Sequence, residues 1–143
     1  MAQIGFKCGM AVLVGRAGAG KTSLLNALVG RKVGIVTPAP LTTRHVLHGV
    51  IHRPDGQIVL VDTPGILREG AERSSKRLER ETRVEAAEAD VLVHVVDPSR
   101  APSASDAEVE ALLAASRRPS ILVLGKADLD DRPHLGAWRA KGA

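Results

Sequence analysis

The stretch Gly15-Arg16-Ala17-Gly18-Ala19-Gly20-Lys21-Thr22 decides the fold, because it matches the pattern G-x-x-x-x-G-K-[ST] in full. It follows residues 11–14, a wholly apolar run that predicts a buried strand. It precedes residues 21–29, where leucines recur at helical spacing and Gly30 stands where a helix would end. A strand, a glycine-rich loop and a helix in this order predict a phosphate loop.

The chemistry of phosphate binding explains these residue types. Glycines let the loop curl so that its N–H groups converge on phosphate oxygens, and the helix N-terminus adds a favourable dipole. Lys21 is expected to reach the β- and γ-phosphates, and the Thr22 hydroxyl to bind Mg²⁺, which prefers oxygen ligands. The predicted nucleotide contacts in this region are Gly15, Arg16, Ala17, Gly18, Ala19, Gly20, Lys21, Thr22 and Ser23.

Two further motifs each follow an apolar run. Asp62-Thr63-Pro64-Gly65 follows residues 58–61, so Asp62 is well placed to hold Mg²⁺ through water, and the Gly65 N–H to bond a γ-phosphate. Gly125-Lys126-Ala127-Asp128 follows residues 121–124 and is a weaker signal by itself, because Lys-x-Asp is common in turns. Its value lies in its order and spacing behind the other two motifs.

The remaining pattern predicts an α/β layer with a mostly parallel sheet. Further strands are predicted at 46–51, 58–61, 91–96 and 121–124, and helices at about 72–89 and 105–116. Pro54-Asp55-Gly56 is a turn signal that joins the first two of these strands as a hairpin, which makes one edge antiparallel. Ser105, with Glu108 three residues on, predicts a capping box at the start of the last helix.

Composition limits the classes of protein. The chain has 143 residues and 44 % hydrophobic content, which indicates one globular domain. No apolar run approaches the ~18 residues of a membrane span. A single cysteine, Cys8, excludes an internal disulfide framework and is consistent with a reducing cytoplasm.

Charge is distributed unevenly along the chain. Seven of the 20 lysines and arginines precede Asp55, the first acidic residue, and the remainder holds 13 basic and 16 acidic residues. A positive first third suits polyanions such as nucleotide phosphate or RNA, although a solvated basic surface has the same composition.

Taken together, the three motifs and residues 41–45 (Leu-Thr-Thr-Arg-His) resemble the GTPase domain of the Era family, in the TrmE-Era-EngA-EngB class of P-loop GTPases. The stretch Leu24-Leu25-Asn26-Ala27-Leu28-Val29-Gly30 strengthens the resemblance, which covers about residues 5–130. It implies a P-loop NTPase three-layer sandwich in which residues 5–130 form an incomplete G domain. Residues 131–143 are then an unstructured or incomplete tail.

The resemblance also implies roles for individual residues. Thr43 corresponds to the switch threonine that completes Mg²⁺ coordination, so Thr22, Thr43 and Asp62 form the expected metal set, and Lys21, Thr43 and Gly65 the catalytic set. Asp128 would accept hydrogen bonds from guanine, and the Lys126 stem would lie over the base. The further nucleotide contacts are Asp62, Thr63, Pro64, Gly65, Lys126 and Asp128. Ile66 stands where Ras-like enzymes carry a water-orienting glutamine, so slow intrinsic turnover is expected.

The sequence departs from the family in three ways. Gly125 replaces an asparagine that normally bonds the base and the phosphate loop. Gly18 replaces an asparagine that helps to bind K⁺ in Era and TrmE, which makes potassium stimulation doubtful. The family's last strand, last helix and RNA-binding KH domain have no counterpart before Ala143, so we expect a truncated domain with strand 121–124 as a bare edge.

The resemblance therefore implies a cytoplasmic GTPase that hydrolyses GTP to GDP and phosphate. By resemblance its partners are small-subunit ribosomal RNA and the ribosome, although the KH domain is absent. One alternative is a nucleotide-binding module with little or no turnover, because its base-binding motifs are degraded or missing. Another is an adenine-nucleotide enzyme that shares only the phosphate loop, against which Asp128 argues.

Four histidines are not expected to have a catalytic or metal-binding role. His45, His48 and His52 lie along one predicted strand, where their spacing does not favour a metal site. His94, inside a predicted buried strand, is expected to be a hydrogen-bonded core residue.

Overall fold

The computed structural model describes residues 5–31, 33–34, 46–65 and 73–142. The strands in these ranges are β1 (Lys7–Val14), β2 (Leu47–Arg53), β3 (Gly56–Asp62), β4 (Val91–Val96) and β5 (Ser120–Leu124). The helices are α1 (Lys21–Val29), α2 (Arg73–Glu88), α3 (Ala104–Ser116) and α4 (Leu135–Lys141).

The strands form one sheet in the order β2-β3-β1-β4-β5. Strand β1 is parallel to both β3 and β4, and β4 is parallel to β5, whereas β2 is antiparallel to β3. The predicted mostly parallel sheet with one antiparallel edge hairpin is therefore confirmed. Because four strands run in one direction, the segments that follow them converge at one edge of the sheet.

Helices cover both faces of the sheet, which confirms the three-layer arrangement. On one face Val12, Val14 and Leu92 pack in a buried cluster that includes α2 and α3 residues. On the other face Ala11, Leu13 and Leu60 pack against Leu25 of α1. The alternation of β1 side chains between the two clusters is the period of two expected for a strand buried on both sides.

The N-cap of helix α3 lies two residues earlier than the predicted cap. Ser103 is the N-cap in an extended conformation, and its hydroxyl accepts from the Asp106 N–H while the Asp106 carboxylate accepts from the Ser103 N–H. The predicted capping box of Ser105 and Glu108 is wrong, because Ser105 already lies buried in the first turn. The same motif chemistry operates, but at an earlier pair of residues.

The expectation of an unstructured tail is wrong for residues 135–141, which form α4. Trp138 is only 1 % exposed, and its ring meets His94 edge-on with centroids 5.9 Å apart. The Lys141 ammonium lies 5.1 Å from the centre of the indole and pairs with Glu110 of α3 at 2.6 Å. Burial of the chain's one tryptophan thus holds a seven-residue helix that has too few turns for a readable period.

Strand β5 is the last strand in the order of the described sheet, as the sequence predicted. Its first two residues are exposed, Ile121 by 54 %, and its last three are half-buried. Near its centre, Leu122 lies close to Gly142, just beyond α4.

Candidate functional site

The phosphate loop connects β1 to α1 at the sheet edge where the parallel strands end. Gly18 and Gly20 have φ angles of 77° and 104°, which glycine adopts without strain. Gly15 packs so closely on β4 that a Cβ there would lie 2.4 Å from the Val95 carbonyl oxygen. Glycines at these positions are therefore a requirement of the loop's shape and of its contact with the sheet.

Lys21 is buried at the start of α1, and its ammonium donates to the Gly15 and Arg16 carbonyl oxygens at 3.2 and 3.1 Å. Burial lowers the pKa of Lys21 from 10.5 to about 8, an effect that the negative charge of Asp62 partly opposes. A buried ammonium of this kind is stabilised by any anion that enters the loop. The electrostatics of the loop therefore favour a phosphate.

Asp62 ends β3 and lies fully buried beside the phosphate loop. The Thr22 hydroxyl donates to its Oδ2 atom at 2.5 Å, so a hydroxyl and a carboxylate lie together at the mouth of the loop. The next residue, Thr63, donates from its hydroxyl to the Leu13 carbonyl oxygen at 2.7 Å and fixes the segment against β1. This pair of oxygen donors suits Mg²⁺, which takes one or two protein oxygens and keeps several waters.

Gly65 lies against the phosphate loop, three residues beyond Asp62. A Cβ there would be 2.3 Å from Ala17 Cα and 2.6 Å from its backbone nitrogen, a space that only glycine fits. The segment is held from the other side by Thr82 of α2, whose hydroxyl donates to the Pro64 carbonyl oxygen at 3.2 Å. The structure thus brings the second motif into contact with the first.

The third motif reaches the same loop from the end of β5. The Gly125 N–H donates to the Val96 carbonyl oxygen at 2.9 Å, and a Cβ on Gly125 would lie 3.2 Å from the Ala19 carbonyl oxygen. The aliphatic stem of Lys126 passes close to Gly20. Asp128 is exposed at this edge.

Two arginines connect the phosphate loop to α3 and to the segment between β4 and α3, and no sequence pattern predicts these contacts. The Arg16 guanidinium donates to the Ala101 carbonyl oxygen at 3.2 Å and to Asp106 at 3.1 Å. Its side chain is only 12 % exposed, so this residue contributes its backbone to the loop and its charge to α3. Arg100 lies over the loop from the other direction and donates to the Ala17 carbonyl oxygen at 3.4 Å.

Asp97, the first residue after β4, holds Arg100 in place. Burial by itself would raise the pKa of Asp97, but hydrogen bonds from the Ser99 hydroxyl and N–H and from Arg100 outweigh it, so the pKa lies below its usual value. Its position at the end of a buried strand is the signal that sequence reasoning missed, since Asp62 was singled out for that same position.

Three residues that the sequence analysis names, Thr43, His45 and Ile66, lie outside the described residues. Across the part of the chain that the structure describes, no three His, Cys, Asp or Glu side chains could hold a metal ion together. His94 is buried as predicted, but within the same ranges its Nε2 atom has no hydrogen-bond partner.

No helix in the described ranges is both long enough and apolar enough to cross a bilayer.

Comparison with known proteins assigns the chain to a family of GTPases. A family model described as 50S ribosome-binding GTPase matches residues 10–126. GTPase Era of Bordetella pertussis is 41 % identical over 137 residues, covering 95 % of this chain and 46 % of that protein. GTPase Era of Streptomyces coelicolor is 39 % identical over 130 residues, covering 90 % and 41 %. The chain therefore spans less than half the length of these relatives.

Solved structures give the same result for the fold. Era in complex with MgGDPNP and nucleotides 1506–1542 of 16S ribosomal RNA superposes with a TM-score of 0.84 at 28 % identity, covering 95 % of this chain and 48 % of that one. A variant of Aquifex aeolicus Era bound to GDP·AlF₄⁻ gives 0.79 at 30 % identity, covering 86 % and 42 %. The first of these structures contains magnesium.

Proposed function

The chain belongs to the 50S ribosome-binding GTPase family, and on that premise we propose that it binds GTP with Mg²⁺ and hydrolyses it to GDP and phosphate. The observation that carries the proposal is the meeting of three motifs at one loop. Lys21 is buried within the loop, Asp62 of the second motif is bonded to Thr22 at its mouth, and Gly125 of the third motif lies close to Ala19.

In this proposal the loop and Lys21 hold the phosphates. The Lys21 ammonium exchanges the loop carbonyls for β- and γ-phosphate oxygens, and the loop amides of residues 18–22 bind the remaining oxygens. Thr22 and, through water, Asp62 would hold Mg²⁺, and Thr43 would complete the set when GTP is bound. The ion would supply positive charge that neutralises the phosphates.

The chain's own residues then orient the reaction more than they take part in it. Water attacks the γ-phosphorus and the bond to the β–γ bridging oxygen breaks. One water proton stays on the attacking oxygen, and the other passes to a second oxygen of the released phosphate. Lys21 stabilises the charge that develops on the leaving oxygen. Gly65, in contact with Ala17, is positioned to respond when the γ-phosphate leaves.

Selection of guanine is assigned to the third motif. Asp128 accepts from the guanine N1–H and amino group, which adenine does not offer in that arrangement, and the Lys126 stem covers the base. The closeness of this motif to Gly20 and Ala19 supports the assignment.

Calorimetric titration with GDP and with ADP, both with Mg²⁺, tests this proposal in one comparison. We expect GDP to bind more tightly than ADP, and Lys21→Ala to abolish measurable binding. Lys76→Ala, which removes an exposed lysine of α2, is the matched control and should bind as the wild type does. Tight GTP binding by Lys21→Ala would refute the proposed site, and stronger binding of ADP would favour the adenine-nucleotide alternative.

Gly125 favours one rival, a nucleotide-binding module with little turnover. This residue lies between Val96 and Ala19 without a side chain that could bond the base or tie the two loops together. Single-turnover hydrolysis of GTP, in K⁺ and in Na⁺ buffer, separates the two functions. Hydrolysis in either buffer supports the GTPase, whereas tight binding without hydrolysis supports the binding module. A faster rate in K⁺ than in Na⁺ would contradict the expectation that Gly18 removes potassium stimulation.

A cytoplasmic location and an association with small-subunit ribosomal RNA complete the proposal, and both rest on the resemblance to Era. The chain itself offers few aromatic rings on which bases could stack. It has one phenylalanine, Phe6, which is exposed, one tryptophan, Trp138, which is buried, and no tyrosine. A binding assay with a ribosomal RNA fragment and with a scrambled fragment of equal length tests the partner.

A further inference from the structure

Arg100 is a charged side chain at the phosphate loop that none of the three motifs includes. It lies between β4 and α3, beyond the end of a strand that runs parallel to β1, so the sheet topology carries it to the loop. Its side chain remains 45 % exposed, in contrast to the 12 % of Arg16. Arg16 is therefore largely buried in the fold, whereas the Arg100 side chain remains partly exposed to solvent beside the phosphate loop.

Arg100 is held at one end of its guanidinium. Its Nε atom donates to Asp97 Oδ2 at 3.0 Å, and Asp97 is only 8 % exposed. The other oxygen of Asp97 accepts from the Ser99 N–H at 2.9 Å and hydroxyl at 2.5 Å. Because the carboxylate is fixed and stays ionised at neutral pH, the direction of the guanidinium is fixed as well.

The other end of the guanidinium lies over the middle of the phosphate loop. Its Nη2 atom is 3.4 Å from the Ala17 carbonyl oxygen and 3.3 Å from the place where a Cβ on Gly18 would stand. The hydrogen bond to Ala17 is at the long limit of such bonds, so a better acceptor replaces it at small cost. Glycine at position 18 leaves the space that this cation fills.

We propose that Arg100 is a phosphate-contacting residue: its Nε remains on Asp97 while its Nη groups leave Ala17 and bind the terminal phosphate oxygens of GTP. The proposal rests on the proposed function and deepens it. A guanidinium pairs well with phosphate because its donors form a planar fork. At this place the protein supplies a second cation besides Lys21, and that cation stabilises the charge that develops during hydrolysis.

The test compares affinities for GDP and for a non-hydrolysable GTP analogue, by calorimetry with Mg²⁺, in the wild-type chain, Arg100→Ala, Arg100→Lys and Arg118→Ala. Arg118 is the matched control, because its guanidinium also bonds one carbonyl oxygen, that of Ala87, and it lies exposed just before β5, at the opposite edge of the sheet. We expect Arg100→Ala to weaken binding of the analogue about tenfold or more, and binding of GDP clearly less. Arg100→Lys should recover part of the loss, and Arg118→Ala should change neither affinity.

Single-turnover hydrolysis supplies a second readout, in which Arg100→Ala should be slower than the wild type by about tenfold or more. The proposal is overturned if the ratio of the affinities for the GTP analogue and for GDP stays within twofold of the wild-type ratio in Arg100→Ala, whether both affinities are unchanged or both fall equally. If Arg100→Ala shows no cooperative thermal unfolding, Arg100→Gln, which keeps a donor for Asp97, takes its place in the same comparison. Failure of the wild-type chain to bind any guanine nucleotide contradicts the proposed function itself and is recognised before any variant is made.

Discussion

Raising the pH from about 7.5 to about 8.5 should weaken the binding of GDP about threefold, because Lys21 loses its proton in this interval. Burial holds the pKa of this ammonium at about 8 in the nucleotide-free site. About three quarters of the molecules carry the charge at the lower pH and about one quarter at the higher. A bound phosphate restores the charged form, since an opposite charge in contact raises the pKa of a lysine.

The same linkage requires the uptake of a proton on binding. Near pH 8.5 it should amount to about 0.8 proton per nucleotide, falling to about 0.2 near pH 7.5. Calorimetry in two buffers with different ionisation enthalpies measures this number directly. Cys8→Ser is the control, because it removes the chain's one thiol and should leave the uptake unchanged. Affinity that stays flat over this interval, together with no proton uptake, would refute the reasoning from burial.

The pH dependence of stability that comes from Lys21 has the opposite sign to the pH dependence of GDP affinity. The pKa of Lys21 is lower in the folded chain than its ordinary value of 10.5, so the unfolded chain binds more protons between about pH 8 and 10.5. The contribution of Lys21 to stability therefore rises with pH in that window. A loss of affinity there reflects the charge of the site and not a loss of folded protein, as the thermal midpoint at each pH will show.

Three further predictions concern packing and pH. Gly65→Ala should weaken binding of a GTP analogue about tenfold or more, because its Cβ would lie 2.3 Å from the phosphate-loop backbone, whereas Gly136→Ala, with nothing within 4 Å, should bind normally. Trp138→Ala should lower the free energy of unfolding by about 3–5 kcal/mol in denaturant titrations, because the ring is buried. A loss below about 1 kcal/mol would contradict the inference that burial of this ring holds α4 on the sheet. Burial lowers the pKa of His94 below 6.5, so the unfolded chain binds more protons than the folded chain just under that pH. The free energy of unfolding should therefore fall on acidification from about pH 7 to 5.5. Thermal midpoints should show a smaller fall in His94→Leu and the wild-type fall in His52→Gln.

Sequence alone was sufficient for whatever depends on neighbouring residues. The phosphate loop is specified by glycines, a lysine and a threonine within eight positions, and the strand and helix beside it have clear periods. The hairpin was predictable because Asp55 and Gly56 form a local turn signal. Each of the three motifs follows an apolar run in the sequence, and the ends of parallel strands lie together in a sheet.

The tertiary structure decided what depends on residues far apart in sequence. Arg100 meets Ala17 across 83 positions, and Arg16 meets Asp106 across 90, so no local pattern could pair them. The start of α3 at Ser103 was missed because Ser105 and Glu108 match the capping-box pattern, whereas the structure buries Ser105 in the first turn. Helix α4 was missed because its stability comes from one indole packed on His94 and not from its own seven residues.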